Sequence, residues 1–161
     1  LGEKVAYLAQ LATRGASRWR VTSLARTLGS VPRAHRYVRD RIRYEDEPVE
    51  MLESPSYTLA TGAGDCEAQA VALAALVAVL GYSSQLVPMG GTPDDAAHLA
   101  ILISRAPQAL PRVVAAAWQP FGLEAPEGYR WAETTVRAEL GEIPIKAALR
   151  LGDRRADLGR G

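Results

Sequence analysis

The sequence has one cysteine, one phenylalanine and two histidines among 161 residues, and aromatic residues make up only 6%. A single cysteine excludes an intrachain disulfide framework and most cysteine-rich zinc sites. It fits a reducing compartment. Long apolar runs are also missing. The longest, Ala68 to Leu80, is interrupted by Gln69. It falls short of the ~18 residues that a bilayer-spanning helix needs, so no membrane partner is expected. No secretory leader is visible, but the first residue is Leu rather than Met, so this says little about export. The 10 prolines and 14 glycines are dispersed and leave no long linker, repeat or low-complexity block. With 48% hydrophobic residues the chain can bury one core, and a single domain over residues 1–161 is the expectation.

Charge is present but uneven. Residues 1–43 hold ten Lys/Arg against two acids, Glu3 and Asp40, a net of +8; residues 44–161 carry a net of −7. A basic helical arm over 1–43 suggests docking on an acidic partner. It has few aromatics and no recognised nucleic-acid motif, so nucleic acid is not the expected partner.

Helical spacing predicts a first helix from Leu1 to about Gly15, through Val5, Leu8, Leu11 and Ala12. Ser17 is the expected cap of a second helix to Leu28, with Trp19, Val21, Leu24 and Ala25 as core positions. Ser30 caps a third, with Pro32 near its start and an apolar stripe of Val31, Ala34, Tyr37, Val38 and Ile42. His35 lies in that helix without a Cys, His or acidic partner at i+3 or i+4, and reads as a surface or interface histidine. Tyr44 to Tyr57 reads as irregular and acidic, with Glu45, Asp46, Glu47, Glu50 and Glu53. The spacing does not suit an EF-hand, so a solvated loop pairing with the basic helices is expected and no metal site.

Downstream, Gly64-Asp65-Cys66 ends a glycine-rich turn and opens a helix to Leu80 that is apolar nearly all round. Such a helix is normally central to a fold. Asp65 reads as its N-cap. Cys66 lies in the first turn, where unpaired N–H groups and the helix dipole favour a thiolate. Strands are predicted over Tyr82–Pro88 and His98–Ile103, with a turn-rich Gly90–Asp95 between them. A strand over Val113–Trp118 is possible in a proline-broken region, and Tyr129–Val136 reads as another. Ile143, Ile145, Ala148 and Leu149 are expected to pack, and residues 151–161 to fray.

Cys66 opens a buried helix, His98 opens a strand 32 residues later, and Glu133 falls on a further strand 35 residues after that. A nucleophilic thiol needs an imidazole beside it and a carboxylate to orient the imidazole. Asp94 and Asp95 are alternative acids. A lone cysteine can also be just a small buried hydrophobe.

The chain resembles the transglutaminase-like branch of the papain-like cysteine enzymes. The resemblance rests on Gly64-Asp65-Cys66 with its Ala/Leu helix ending in Leu80-Gly81-Tyr82, on His98 at a strand start, on Trp131-Ala132-Glu133-Thr134-Thr135, and on the helix with Tyr37 to Tyr44. It covers roughly residues 31–145. It implies an α+β fold in which a nucleophile-bearing central helix packs on a small antiparallel sheet, with helices N-terminal to it. The core would span residues 44–150, with 105–128 as an insertion. It further implies Cys66 as nucleophile, His98 as general base and acid, and Glu133 as orienting acid where the family usually has Asp. The reaction would be acyl transfer or hydrolysis on a protein or peptide amide without a cofactor. Asp65, Gln69 and Trp131 are expected near the substrate groove. The alternative is a non-catalytic module used in assembly or partner binding. Similar small domains occur in phage and prophage clusters, so the expected setting is cytoplasmic or virion-associated.

Overall fold

The computed structural model of the chain describes residues 1–46 and 54–145, with five helices and six strands among them. Glu47, Glu50 and Glu53 of the acidic loop, Ala148, Leu149 and the tail 151–161 lie outside the described residues, as does the side chain of Asp95.

Helix α1 (Gly2–Gly15) buries Val5, Leu8, Ala9 and Ala12 along one stripe. Its last residue, Gly15, lies so close to Pro55 that a Cβ would come within 2.5 Å of that ring. Helix α2 (Trp19–Leu28) buries Val21 and Ala25 and stops at Gly29, whose φ of 76° suits glycine. Two expectations fail here. Ser17 does not cap α2, because the chain is still turning out of α1 and its hydroxyl donates back to the Arg14 carbonyl at 2.9 Å; Arg18 is the N-cap. Trp19 is not in the core but 77% exposed. It precedes Val21 by two positions, about 200° round the helix from the buried side.

Helix α3 (Val31–Arg41) is capped by Ser30, whose side chain accepts from Arg33 N, and buries Val31, Ala34, His35 and Val38. Strand β1 (Arg43–Tyr44) pairs in parallel with β2 (Ala63–Gly64). Between them lies α4 (Pro55–Thr61), a helix in a stretch expected to be irregular. Its signal was present in Ser54-Pro55. Ser54 caps Tyr57 N at 3.3 Å and Pro55 occupies the first helical position.

Helix α5 (Cys66–Val79) buries ten consecutive residues, Ala68 to Val77, and packs against all four other helices and the larger sheet. That burial on every side is what its uniform apolar sequence requires. The sheet has the order β5-β3-β4-β6. Its strands are β3 (Ser84–Met89), β4 (His98–Ser104), β5 (Val113–Ala115) and β6 (Tyr129–Trp131). The β3/β4 and β4/β6 pairs are antiparallel, as expected, but β5 joins β3 in parallel and makes the sheet mixed.

Alternation along β4 gives the sheet two apolar faces. Leu99, Ile101 and Ile103 join the core around α5. Ala100 and Leu102 join Val87, Met89 and Trp131 on the far face. The segment 105–128 covers that far face. Its Leu123 carbonyl accepts from Trp131 Nε1 at 2.9 Å, and Phe121 and Ala125 pack on the cluster. Past Gly141 the described chain, to residue 145, carries no helix or strand. Pro144 takes the buried position, leaving Ile143 and Ile145 exposed rather than packed. No helix among the described residues is long and apolar enough to cross a membrane.

Candidate functional site

The site begins where β2 turns into α5. Gly64 has no room for a side chain, since a Cβ would lie 2.7 Å from that of Ala68. Asp65 caps α5 by accepting from Ala68 N at 2.9 Å, as its sequence position suggests. Cys66, the free thiol, takes the first helical position and is partly buried. The N–H of a first helical residue has no acceptor within its own helix.

His98 opens β4 opposite Met89. Its Nε2–H donates to Glu133 Oε2 at 2.6 Å. A carboxylate can only accept, so the proton sits on Nε2 and Nδ1 is the nitrogen left for the thiol. Cys66 and His98 line one pocket, and the Cys66 side chain contributes to the raised pKa of His98. The ring of Phe121 stacks on His98 with centroids 6.2 Å apart. The three expected residues, Cys66, His98 and Glu133, therefore come together. Asp94 is exposed on the preceding turn.

Glu133 is not on a strand. Strand β6 ends at Trp131, and Ala132 N makes a last bond to the Ile101 carbonyl at 3.0 Å. The next N–H groups turn to Glu133 itself. Its Oε1 accepts from Thr134 N at 3.0 Å, Thr135 N at 2.8 Å and the Thr135 hydroxyl at 2.6 Å. A side chain that captures neighbouring backbone donors competes with a sheet ladder, which is why the strand stops early. The detour also accommodates a glutamate's length.

Burial opposes charge on both members of the pair, and their mutual attraction overrides it. For His98, burial is outweighed by the Glu133 carboxylate, its hydrogen bond and the Cys66 side chain, and its pKa rises to about 10. For Glu133, burial is outweighed by His98 and the Thr135 bonds, and its pKa falls to about 2. The imidazole thus keeps its proton through the neutral range.

None of the three residues expected at a groove, Asp65, Gln69 and Trp131, lines the pocket at Cys66 and His98. Gln69 and Trp131 are wholly buried. Gln69 faces inward from α5 and donates to the Gly64 carbonyl at 3.2 Å, tying the cysteine turn to the helix. Trp131 fills the far face of the sheet. The pocket at Cys66 and His98 is walled instead by Leu1 and by α1, through Lys4 and Val5, with Lys4 Nζ 2.7 Å from Glu67 Oε1.

His35 corrects another expectation. It is buried, and its Nε2–H donates to the Glu133 carbonyl at 2.6 Å. Desolvation lowers its pKa. The pattern that reveals it is its place four residues after Val31 and three before Val38, on the apolar stripe. Thr135 and Phe121 were also missed. Nothing local in the sequence marks Phe121, whose role arises from long-range folding of 105–128.

A family model, that of the transglutaminase-like superfamily, matches residues 19–138, a span that includes Cys66, His98 and Glu133 and leaves out α1. No curated protein and no solved structure matches the chain.

Proposed function

Because the chain belongs to the transglutaminase-like superfamily, we propose that it is a cysteine-dependent enzyme acting on a protein or peptide amide. The observation that supports this most is Cys66 and His98 in one pocket, with His98 Nε2 bonded to Glu133 at 2.6 Å. In the first step the Cys66 thiol passes its proton to His98 Nδ1, and the sulfur attacks the amide carbonyl carbon and forms a C–S bond. The carbonyl π electrons move to oxygen, and the Cys66 backbone N–H at the helix start stabilises that oxyanion. His98 then gives its Nδ1 proton to the departing nitrogen as the C–N bond breaks, leaving a thioester. Water or an amine next attacks the thioester and loses its proton to His98, which releases the acyl product and the sulfur. Glu133 holds the imidazole in the required tautomer throughout.

The assembly-module alternative would suit a Cys66 and His98 that lie apart; their place in one pocket favours catalysis. The acidic-partner reading of the N-terminal helices draws its support from Trp19, exposed between Arg18 and Arg20. Exposed Trp and Arg are typical anchors of protein interfaces.

Iodoacetamide alkylation of native protein tests the enzyme reading, since the chain has one thiol. Wild type should react faster at pH 7 than the same chain in urea, and His98→Ala should remove the excess. Equal rates for all three would end the proposal. A glutamine peptide incubated with and without a primary amine then separates hydrolysis from amine transfer by product mass.

A further inference from the structure

Glu133 sits on backbone that has left the sheet, so something else must fix it. Two side chains of α3 grip that backbone. His35 donates to the Glu133 carbonyl at 2.6 Å, and Arg39 donates Nη1–H to the Ala138 carbonyl at 3.0 Å. Residues four apart share one helix face, so both bonds come from a single turn of α3. Arg39 is braced in its turn by Asp40, through Nε to Oδ1 at 2.7 Å and Nη2 to Oδ2 at 2.9 Å. Its side chain is only 11% exposed.

A histidine on an apolar stripe needs a reason. Leucine would fill the space without desolvating a polar ring, and a buried polar group is retained at a cost unless it is bonded. The ring's bond goes to the backbone of the residue whose carboxylate orients the other histidine. A carbonyl only accepts, so His35 Nε2 must carry hydrogen, and the buried neutral tautomer meets that need.

We propose that His35 and Arg39 are positioning residues, a two-point clamp from α3 that holds the 133–138 segment so that Glu133 stays on His98 Nε2. This rests on the catalytic reading of Cys66, His98 and Glu133 given above. It removes Arg39 from the charges free to meet a partner and gives this part of the basic arm an internal task.

The test uses the full chain and iodoacetamide alkylation of Cys66 at pH 7, with NMR of the histidine rings. His98→Ala and Glu133→Gln establish whether the reading itself stands. His35→Leu keeps bulk but removes the bond and should slow alkylation about tenfold. His35→Gln restores a donor and should stay within about threefold of wild type. It also leaves His98 as the sole histidine, and the Nε2–H resonance of His98 should keep its wild-type position. Where His35→Leu does not fold, Arg39→Met decides, with alkylation slowed by about threefold or more and that resonance displaced. The clamp is overturned if folded His35→Leu or Arg39→Met alkylates at the wild-type rate with unmoved His98 signals while His98→Ala and Glu133→Gln are slow. If those two also match wild type, the catalytic reading falls and the clamp falls with it.

Discussion

His98 and Glu133, 35 residues apart in sequence, are joined by a 2.6 Å bond between Nε2 and Oε2 while the other carboxylate oxygen accepts three bonds from Thr134 and Thr135. Both oxygens of one carboxylate are thus committed, one to the imidazole and one to its own loop. The length of the side chain matters to that arrangement. Glu133→Asp should therefore not be silent, even though aspartate is the family's usual residue. It is one methylene short and must give up either His98 or the threonine bonds. We expect Glu133→Asp and Glu133→Gln each to slow Cys66 alkylation at pH 7 about tenfold. An aspartate variant at or above the wild-type rate would show that the loop bonds do not matter.

Stability should carry the same pair's signature in pH. The raised pKa of His98 contributes stability that is fully present below its ordinary value of 6.5 and lost as pH climbs through about 10. The lowered pKa of Glu133 contributes stability present above its ordinary 4.5 and lost as pH falls through about 2. His35 acts in the opposite sense to His98. Its pKa is lowered by burial, so its contribution is present above 6.5 and lost as pH falls below that. Urea midpoints from pH 4 to 10 should fall on the alkaline side in wild type and stay flat there in Glu133→Gln. An unchanged alkaline slope in that variant would remove the pair as its cause.

The residues that carry chemistry were legible because each stands at a change of local pattern. Gly64-Asp65-Cys66 combines a turn, a cap and an apolar helix, and the structure keeps all three. His98 begins the most apolar strand, at the one partly buried position before six buried ones. What could not be read was set by distant parts of the chain. The β-prone run from Tyr129 to Val136 predicts a strand through Glu133, but the Glu133 carboxylate takes the donors the ladder needs. The lack of near neighbours of the right type hid the role of His35, whose partner is 98 residues away. Gln69 and Trp131, expected near a groove, lie on sides of α5 and of the sheet that face inward. Periodicity reports which face is buried, not what lies across from it.

Trp19 and Val21 are neighbours with opposite exposure, at 77% and 0%. Trp19→Ser should change folding stability by no more than about 0.5 kcal/mol, because a solvated side chain leaves no cavity. Val21→Ala should cost about 2 kcal/mol through lost burial and the void left against α5. If the exposed tryptophan anchors an acidic partner, Trp19→Ser should also weaken that complex without changing Cys66 alkylation. Chemical denaturation of the two variants orders them, and a Trp19→Ser loss as large as that of Val21→Ala would contradict the exposure.

The close approach at Gly64 links the fold to the nucleophile. An alanine there would place Cβ 2.7 Å from Ala68 Cβ and 3.3 Å from Thr58 Cγ2. The Ala68 methyl is fixed directly to the α5 backbone and cannot swing aside, so the turn or the helix must shift. Overpacking of this kind costs about 1–3 kcal/mol. The shift falls two residues before Cys66, so Gly64→Ala should slow alkylation as well as lower stability. Combining it with Ala68→Gly removes the nearest contact but adds the helix penalty of glycine, about 1 kcal/mol. The two readouts should then separate. Alkylation should recover toward wild type while stability stays depressed, because the thiol responds to geometry and the helix to propensity. If the double variant alkylates as slowly as Gly64→Ala alone, contact with Ala68 is not what fixes Cys66 in front of His98.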